Sequence, residues 1–235
     1  MNDDEGGRTI IVLGMHRSGT SALTGSLEQA GLALGPVIES APDNVRGSRE
    51  SRRLMALHDD VLARNGGSWR EPVANPRWEP VHRELRDSVV EGFRGIPLWG
   101  FKDPRTLLVL QGWLSALPSA ELVGIFRHPF LVADSLHRRD GMPHAEGLSL
   151  WSYYNRILLW YHERRGGFPL LEFSTSPGVF RDGLDALATS LGLDAERMRF
   201  FDETLRHVEP PELGSVAGAP QARALFDKLV DRARK

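Results

Sequence analysis

The sequence predicts an α/β fold: a three-layer parallel sheet with flanking helices and a helical insertion after the first strand. Three observations carry this reading. Four apolar, partly β-branched segments have the length and composition of buried strands: Arg8–Leu13, Ile96–Phe101, Glu121–Phe126 and Phe168–Phe173. Each is followed directly by a helix start, and three of those starts carry Pro, at Asp103-Pro104, His128-Pro129 and Ser176-Pro177. Pro is well placed there, because its missing N–H has no partner in a first helical turn. The exception to strict alternation is residues 32–95, a long connection that holds helical patches of its own.

Taken in order, the first strand ends at Leu13 and gives way to Gly14-Met15-His16-Arg17-Ser18-Gly19-Thr20-Ser21. A helix then runs through Ala30 and is stopped by Gly31. The connection after it contains Pro36, Pro42, Pro72, Pro76 and Pro80 between helices expected at Ser48–Leu62 and Val81–Phe93. It leaves the carboxyl end of the first strand, the edge where α/β sheets bind ligands, so it is expected to form an acceptor site or lid. The second strand runs into Lys102 and the third into Arg127. From Gly178 to Lys235 the chain reads as helices with a Pro/Gly-rich break at Glu209–Pro220. One domain spanning residues 1–235 is expected, with residues 1–7 disordered.

Composition narrows the function classes. With 41% hydrophobic residues the chain can bury a substantial core. Its 29 basic and 31 acidic side chains nearly balance, at a net charge of −2, so no global field recruits nucleic acid or an anionic membrane. The absence of Cys removes disulfides, thiol catalysis and thiolate metal sites. No apolar run approaches membrane-spanning length, and the acidic start Met1-Asn2-Asp3-Asp4-Glu5 is unlike a secretory signal. A cytoplasmic protein is expected, with no metal, and with a homodimer left open.

The Gly-x4-Gly loop at residues 14–19 joins a strand to a helix, so its backbone N–H groups and the helix dipole converge on one point. That is an anion site of the phosphate-loop type. The triphosphatase version requires Lys at position 20; here it is Thr20, and the cation has moved forward to Arg17. A second basic cluster follows the third strand, where Arg127 precedes Ser135 and Arg139 on a helix. Ser135 and Arg139 are four apart and share a face. An arginine fork plus a hydroxyl receives a second phosphate. Two receptors on one sheet edge suit a ligand phosphorylated at two positions.

These residues resemble the sulfotransferases that use 3′-phosphoadenosine-5′-phosphosulfate (PAPS). Arg17-Ser18-Gly19-Thr20-Ser21 is similar to that family's 5′-phosphosulfate loop, and Arg127 with Ser135 to its 3′-phosphate motif. Asn44-Val45-Arg46-Gly47-Ser48-Arg49-Glu50, Phe101-Lys102-Asp103-Pro104-Arg105 and Phe126-Arg127-His128-Pro129 resemble stretches of bacterial members. The family's late Gly-rich Trp-Lys clamp has no cationic counterpart in Glu212–Gly218. The resemblance implies PAPS as sulfuryl donor, adenosine 3′,5′-bisphosphate (PAP) as product, and a hydroxyl or amine acceptor on a small molecule, sugar or natural product. It implies that Arg17, Ser18, Gly19, Thr20, Ser21, Arg127 and Ser135 bind the nucleotide, and Arg139, on the same helix face as Ser135, is expected to join them.

Sulfuryl transfer requires a base for the acceptor and positive charge for the leaving phosphate oxygen. Glu50 is the first choice of base, because in the expected helix it is in register with Leu54, Leu57 and Val61. His16, inside the loop, competes; His58 falls on the polar side of the same helix. Lys102, at the end of a strand next to the first, is the candidate cation for the leaving group. Asp103 reads as the cap of the helix at Pro104, and Arg105 serves either the phosphates or a carboxylate. Tyr154 belongs to an aromatic helix segment that reads as core, and Arg46, Arg49, Arg52 and Arg53 read as a solvated face with an anionic-acceptor dock as the alternative. A P-loop small-molecule kinase and a non-catalytic adenosine bisphosphate binder are the competing functions.

Overall fold

The structure is a computed structural model of the chain, described for residues 7–40, 46–201 and 209–234. Four parallel strands form one sheet in the order β2-β1-β3-β4. They are β1 (Arg8–Leu13), β2 (Leu98–Lys102), β3 (Glu121–Phe126) and β4 (Leu170–Glu172). The helices are α1 (Thr20–Gln29), α2 (Arg52–Arg64), α3 (Pro80–Glu91), α4 (Thr106–Leu114), α5 (Pro129–Asp140), α6 (His144–Arg164), α7 (Pro177–Ser190) and α8 (Ala219–Ala233).

Alternation along the central strands explains the layering. Ile11 and Leu13 of β1 face one core, shared with Leu57 of α2, Trp113 of α4, Leu136 of α5, Trp151 of α6 and Leu229 of α8. Ile10 and Val12 face the other, with Leu23 and Leu27 of α1 and Phe180 and Leu184 of α7. Both faces of β1 and β3 are thus buried, which is why these strands read as continuous apolar runs. The α/β, three-layer expectation holds. Among the described residues no helix is long and apolar enough to cross a membrane.

Two strands begin or end differently from the sequence reading. β2 begins at Leu98 instead of Ile96, because Gly95 turns with φ +78° and Pro97 has no N–H to donate. The Pro97 carbonyl still accepts from Arg8 N at 2.9 Å. Pro169 trims β4 in the same way, although its carbonyl accepts from Gly124 N. The helix expected from Ser48 starts only at Arg52, since Gly47 and Arg49 both have left-handed backbones (φ +76° and +57°). The helix expected at Val81–Phe93 spans Pro80–Glu91. The insertion is anchored through α2, whose Leu54, Leu57, Val61 and Leu62 are buried in the first core. The expectation of disorder over residues 1–7 falls almost wholly outside the described residues, as do Asn44 and Val45.

Candidate active site

The loop after β1 takes its shape from two left-handed residues. Arg17 (φ +66°) is strained for a side-chain-bearing residue, and Gly19 (φ +87°) leads into α1. A Cβ on Gly19 would lie 2.4 Å from the Phe173 ring, so glycine is required for space as well as for conformation. Ser18 is fully buried within the loop, and its Oγ has no hydrogen-bond partner. Buried hydroxyls are almost always satisfied, so an orphaned one at a helix start points toward a ligand.

Arg17 does not turn back over its own loop. Its Nε donates to Ser135 Oγ at 2.8 Å, and its carbonyl accepts from Arg127 Nη1 at 3.3 Å. The two motifs, 118 positions apart for Arg17 and Ser135, are therefore one continuous surface. Arg127 lies over the Phe173 ring, with its Nε buried and without a partner. Burial first, then the like charges of Arg17 and Arg138, push Arg127 down to about 10. An arginine pressed against other cations marks a place that an anion would relieve.

Lys102 is paired with Val12 across the β1–β2 ladder, which puts it at the strand's carboxyl end. It is buried, with 1% of its side chain exposed, and its Nζ lies 2.7 Å from Glu50 Oε1 and 3.4 Å from Ser21 Oγ. Ser21 in turn donates to the Ser48 carbonyl at 3.0 Å. Glu50 is not in the first turn of α2 as expected. It lies in the extended run before it, where its carbonyl accepts from Ile38 N and Arg49 N donates to Ile38 O. The side chain nonetheless reaches the site.

His58 corrects the reading that placed it on a polar face. With Leu54, Val61 and Leu62 it follows the i, i+4, i+7, i+8 pattern, and it is fully buried. Trp113 Nε1 donates to its Nε2 at 2.8 Å, which leaves the proton on Nδ1, 3.3 Å from Asp103 Oδ2. Asp103 Oδ1 accepts from Arg105 N at 2.9 Å and Arg105 Nη1 at 3.0 Å. Asp103 caps this turn and not a helix at Pro104, since α4 begins at Thr106. Burial disfavours its charge, but His58 and Arg105 outweigh that and hold its carboxyl well below the usual range. Arg105 Nε also donates to Asp59 at 2.6 Å.

A cavity of about 290 Å³ opens beside these groups, lined by His16, Arg17, Thr20, Ser21, Ser48, Glu50, Trp69, Arg105 and Arg139 among others. His16 packs against Trp69, with ring centroids 4.5 Å apart, and its Nδ1 is buried without a partner. Burial, then Arg105, pushes it down to about 3, so its imidazole is neutral at ordinary pH. Arg139 lies over Trp69 but forks onto Asp140 at 2.9 and 2.7 Å, which neutralises much of its charge. Tyr154 is core, as expected, and donates to the Trp69 carbonyl at 3.0 Å. Arg46 and Arg49 are not a solvated face: Arg46 bonds to the Phe200 carbonyl and Arg49 pairs with Glu28. Arg52 and Arg53 are exposed. Trp69 belongs to no motif or periodic run, and Ser48, although inside the Asn44–Glu50 stretch, carries no signal of its own that marks it as a site residue. Among the described residues no group of three or more His, Cys, Asp or Glu is placed to hold a metal ion.

No protein-family model and no curated protein matches the chain. Among solved structures it is similar to the sulfotransferase domain from the Synechococcus PCC 7002 olefin synthase. The TM-score is 0.52 at 19% identity, over 97% of this chain and 90% of that one. The fold is sulfotransferase-like. At this identity the likeness concerns the path of the chain alone.

Proposed function

We propose that the protein is a sulfotransferase that moves the sulfuryl group of PAPS onto a hydroxyl or amine of a small-molecule, sugar or natural-product acceptor. The observation that carries this reading is the Arg17–Ser135 contact, which joins the loop after β1 to the middle of α5 as one anion-receiving surface. Fit to a doubly phosphorylated nucleotide is supported by Ser18 Oγ and Arg127 Nε, two buried polar atoms without partners at the two ends of that surface. Ser18, Gly19 and the start of α1 would hold the phosphosulfate end; Arg17, Arg127 and Ser135 would hold the 3′-phosphate. PAPS supplies an activated sulfuryl group, and everything else falls to the chain. Lys102, whose Nζ lies 3.4 Å from Ser21 Oγ, provides positive charge on the leaving side. Glu50, which lines the cavity together with Ser21, accepts the acceptor's proton. His16 is the poorer alternative base, because it is buried against Trp69 and both burial and the Arg105 charge oppose the imidazolium it would become.

Incubation with sulfur-labelled PAPS and a panel of phenols, sugars and amines is the direct test. Labelled product, with PAP raising the melting temperature without added metal, is the expected result. Stabilisation by ATP–Mg²⁺ and not by PAP would overturn the reading and favour a kinase. PAP binding without transfer to any acceptor would leave only a nucleotide binder.

A further inference from the structure

A second cavity, of about 650 Å³, adjoins the first. After Ala33 bridges Trp99 at the edge of β2, the chain continues as the segment 34–40, and Ile38 pairs through its backbone with Arg49 and Glu50. Ile38 lines both cavities. The chain crosses from one to the other between Glu50, which lines the first, and Ser51, which lines the second. The interior of the second is apolar: Leu34, Val37, Leu54, Val89, Phe93 and Phe101.

Its polar lining is not balanced. Arg52 and Arg53 stand at the start of α2, facing one carboxylate, Glu39. The first turn of α2 carries no acidic residue, and Ser51 makes no side-chain cap bond. Two cations there oppose the helix dipole, an arrangement that a bound anion would relieve. Arg53 already donates to Ser88 Oγ at 2.8 Å, which steadies its guanidinium beside the cavity.

We propose that this cavity receives the acceptor, and that the acceptor is an amphipathic hydroxy acid. Its apolar body fills the cavity, its carboxylate meets Arg52 and Arg53, and its hydroxyl passes Ile38 to Glu50. The inference rests on the sulfotransferase reading for the fate of that hydroxyl. The hydroxyl oxygen bonds to sulfur, its proton goes to Glu50, and the sulfur–oxygen bond to the phosphate breaks with its electron pair leaving on PAP.

Ligand-observed NMR titration with para-hydroxyphenylacetate and its neutral counterpart tyrosol tests the site without any donor. The carboxylate is expected to bind about tenfold more tightly, as one charge-assisted contact allows. Arg52→Ala combined with Arg53→Ala should bring the two probes to similar affinity. Ser51→Trp, which fills the cavity and removes no side-chain cap bond, should abolish both while PAP still stabilises the fold; Val37→Trp serves as the second filling variant. Equal affinities in the unaltered protein, no binding of either probe, or filled variants that bind as before would each overturn the proposal. Binding as expected with no label arriving from PAPS would instead sink the sulfotransferase reading and leave the acid-binding cavity. Transfer to neutral acceptors with no preference for acids would do the reverse.

Discussion

The Lys102 ammonium lies 2.7 Å from Glu50 Oε1, which ties the end of β2 to the extended run before α2 across 52 positions of sequence. The two ends are unequally solvated: 1% of the lysine side chain is exposed against 13% of the glutamate. The candidate base and the candidate leaving-group cation thus hold each other.

That asymmetry makes Glu50→Gln the more damaging change. It leaves a buried ammonium with Ser21 Oγ at 3.4 Å and an amide, whereas Lys102→Met leaves a carboxylate with some access to water. Removing one partner of a buried pair costs about 3–5 kcal/mol, the more so the deeper the charge left behind. Urea unfolding of the two variants should rank them in that order, and PAP should restore Glu50→Gln more than it stabilises the parent. Turnover should fall about 10²-fold for Glu50→Gln and about 10²–10³-fold for Lys102→Met. A more stable Glu50→Gln protein with normal turnover would remove Glu50 from both roles.

Ser135→Ala breaks the bond that directs Arg17 toward α5. PAP affinity should drop by roughly 10-fold, about 1.4 kcal/mol for a hydrogen bond to a charged group. AMP, which lacks the 3′-phosphate, should be affected much less. Calorimetric titration of both nucleotides distinguishes this from a general loss of fold, which would weaken the two alike.

The chain Trp113–His58–Asp103–Arg105 predicts a graded series in stability. Trp113→Phe removes one donor to a buried histidine and should cost about 1–3 kcal/mol. Asp103→Asn uncouples Arg105 from a buried carboxylate and should cost more, about 3–5 kcal/mol. Thermal unfolding orders them, and a reversed order would show that Arg105 is held chiefly by Asp59.

Acid stability carries its own signature. His16 and His128 are pushed down from 6.5 to about 3 and about 4, in each case by burial first and then by a nearby arginine, Arg105 and Arg223 respectively. Below pH 6.5 the unfolded chain takes up protons that the folded one refuses, so stability falls as pH drops toward 4. Asp103, held low, loses its contribution only below the ordinary carboxylate range and is silent in this window. Each histidine contributes a slope of about 1.4 kcal/mol per pH unit. His16→Asn should remove roughly one such increment between pH 6 and 4.5, measured by urea unfolding across that range. An unchanged slope would place His16 in water.

Local signals were legible and tertiary ones were not. β1, β3 and the starts of α5 and α7 fall where apolar runs and Pro at a first helical position put them. The beginning of α2 did not, because Arg49 is held left-handed by a pairing with Ile38 that no local pattern announces. Glu50 and Lys102 were both picked out by type and position, yet their contact depends on that pairing. His58 was misread although its spacing was in view, for a polar residue on an apolar stripe is explained only by Trp113 and Asp103, far along the chain. Arg17's direction needs Ser135, 118 positions away.

The β1–β2 ladder matches Ile10 with Gly100 and Val12 with Lys102. A Cβ at Gly100 would lie 2.2 Å from the Ile10 carbonyl oxygen, so this alignment is locked by a missing atom. Strand side chains alternate between faces, and a slip by one residue would bury Lys102 among apolar side chains and turn Phe101 toward Glu50. A β2 slipped by one residue would therefore keep every functional group in the sequence while taking the ammonium away from Glu50. For such a chain, composition would be intact and the arithmetic of strand pairing alone would decide whether it works.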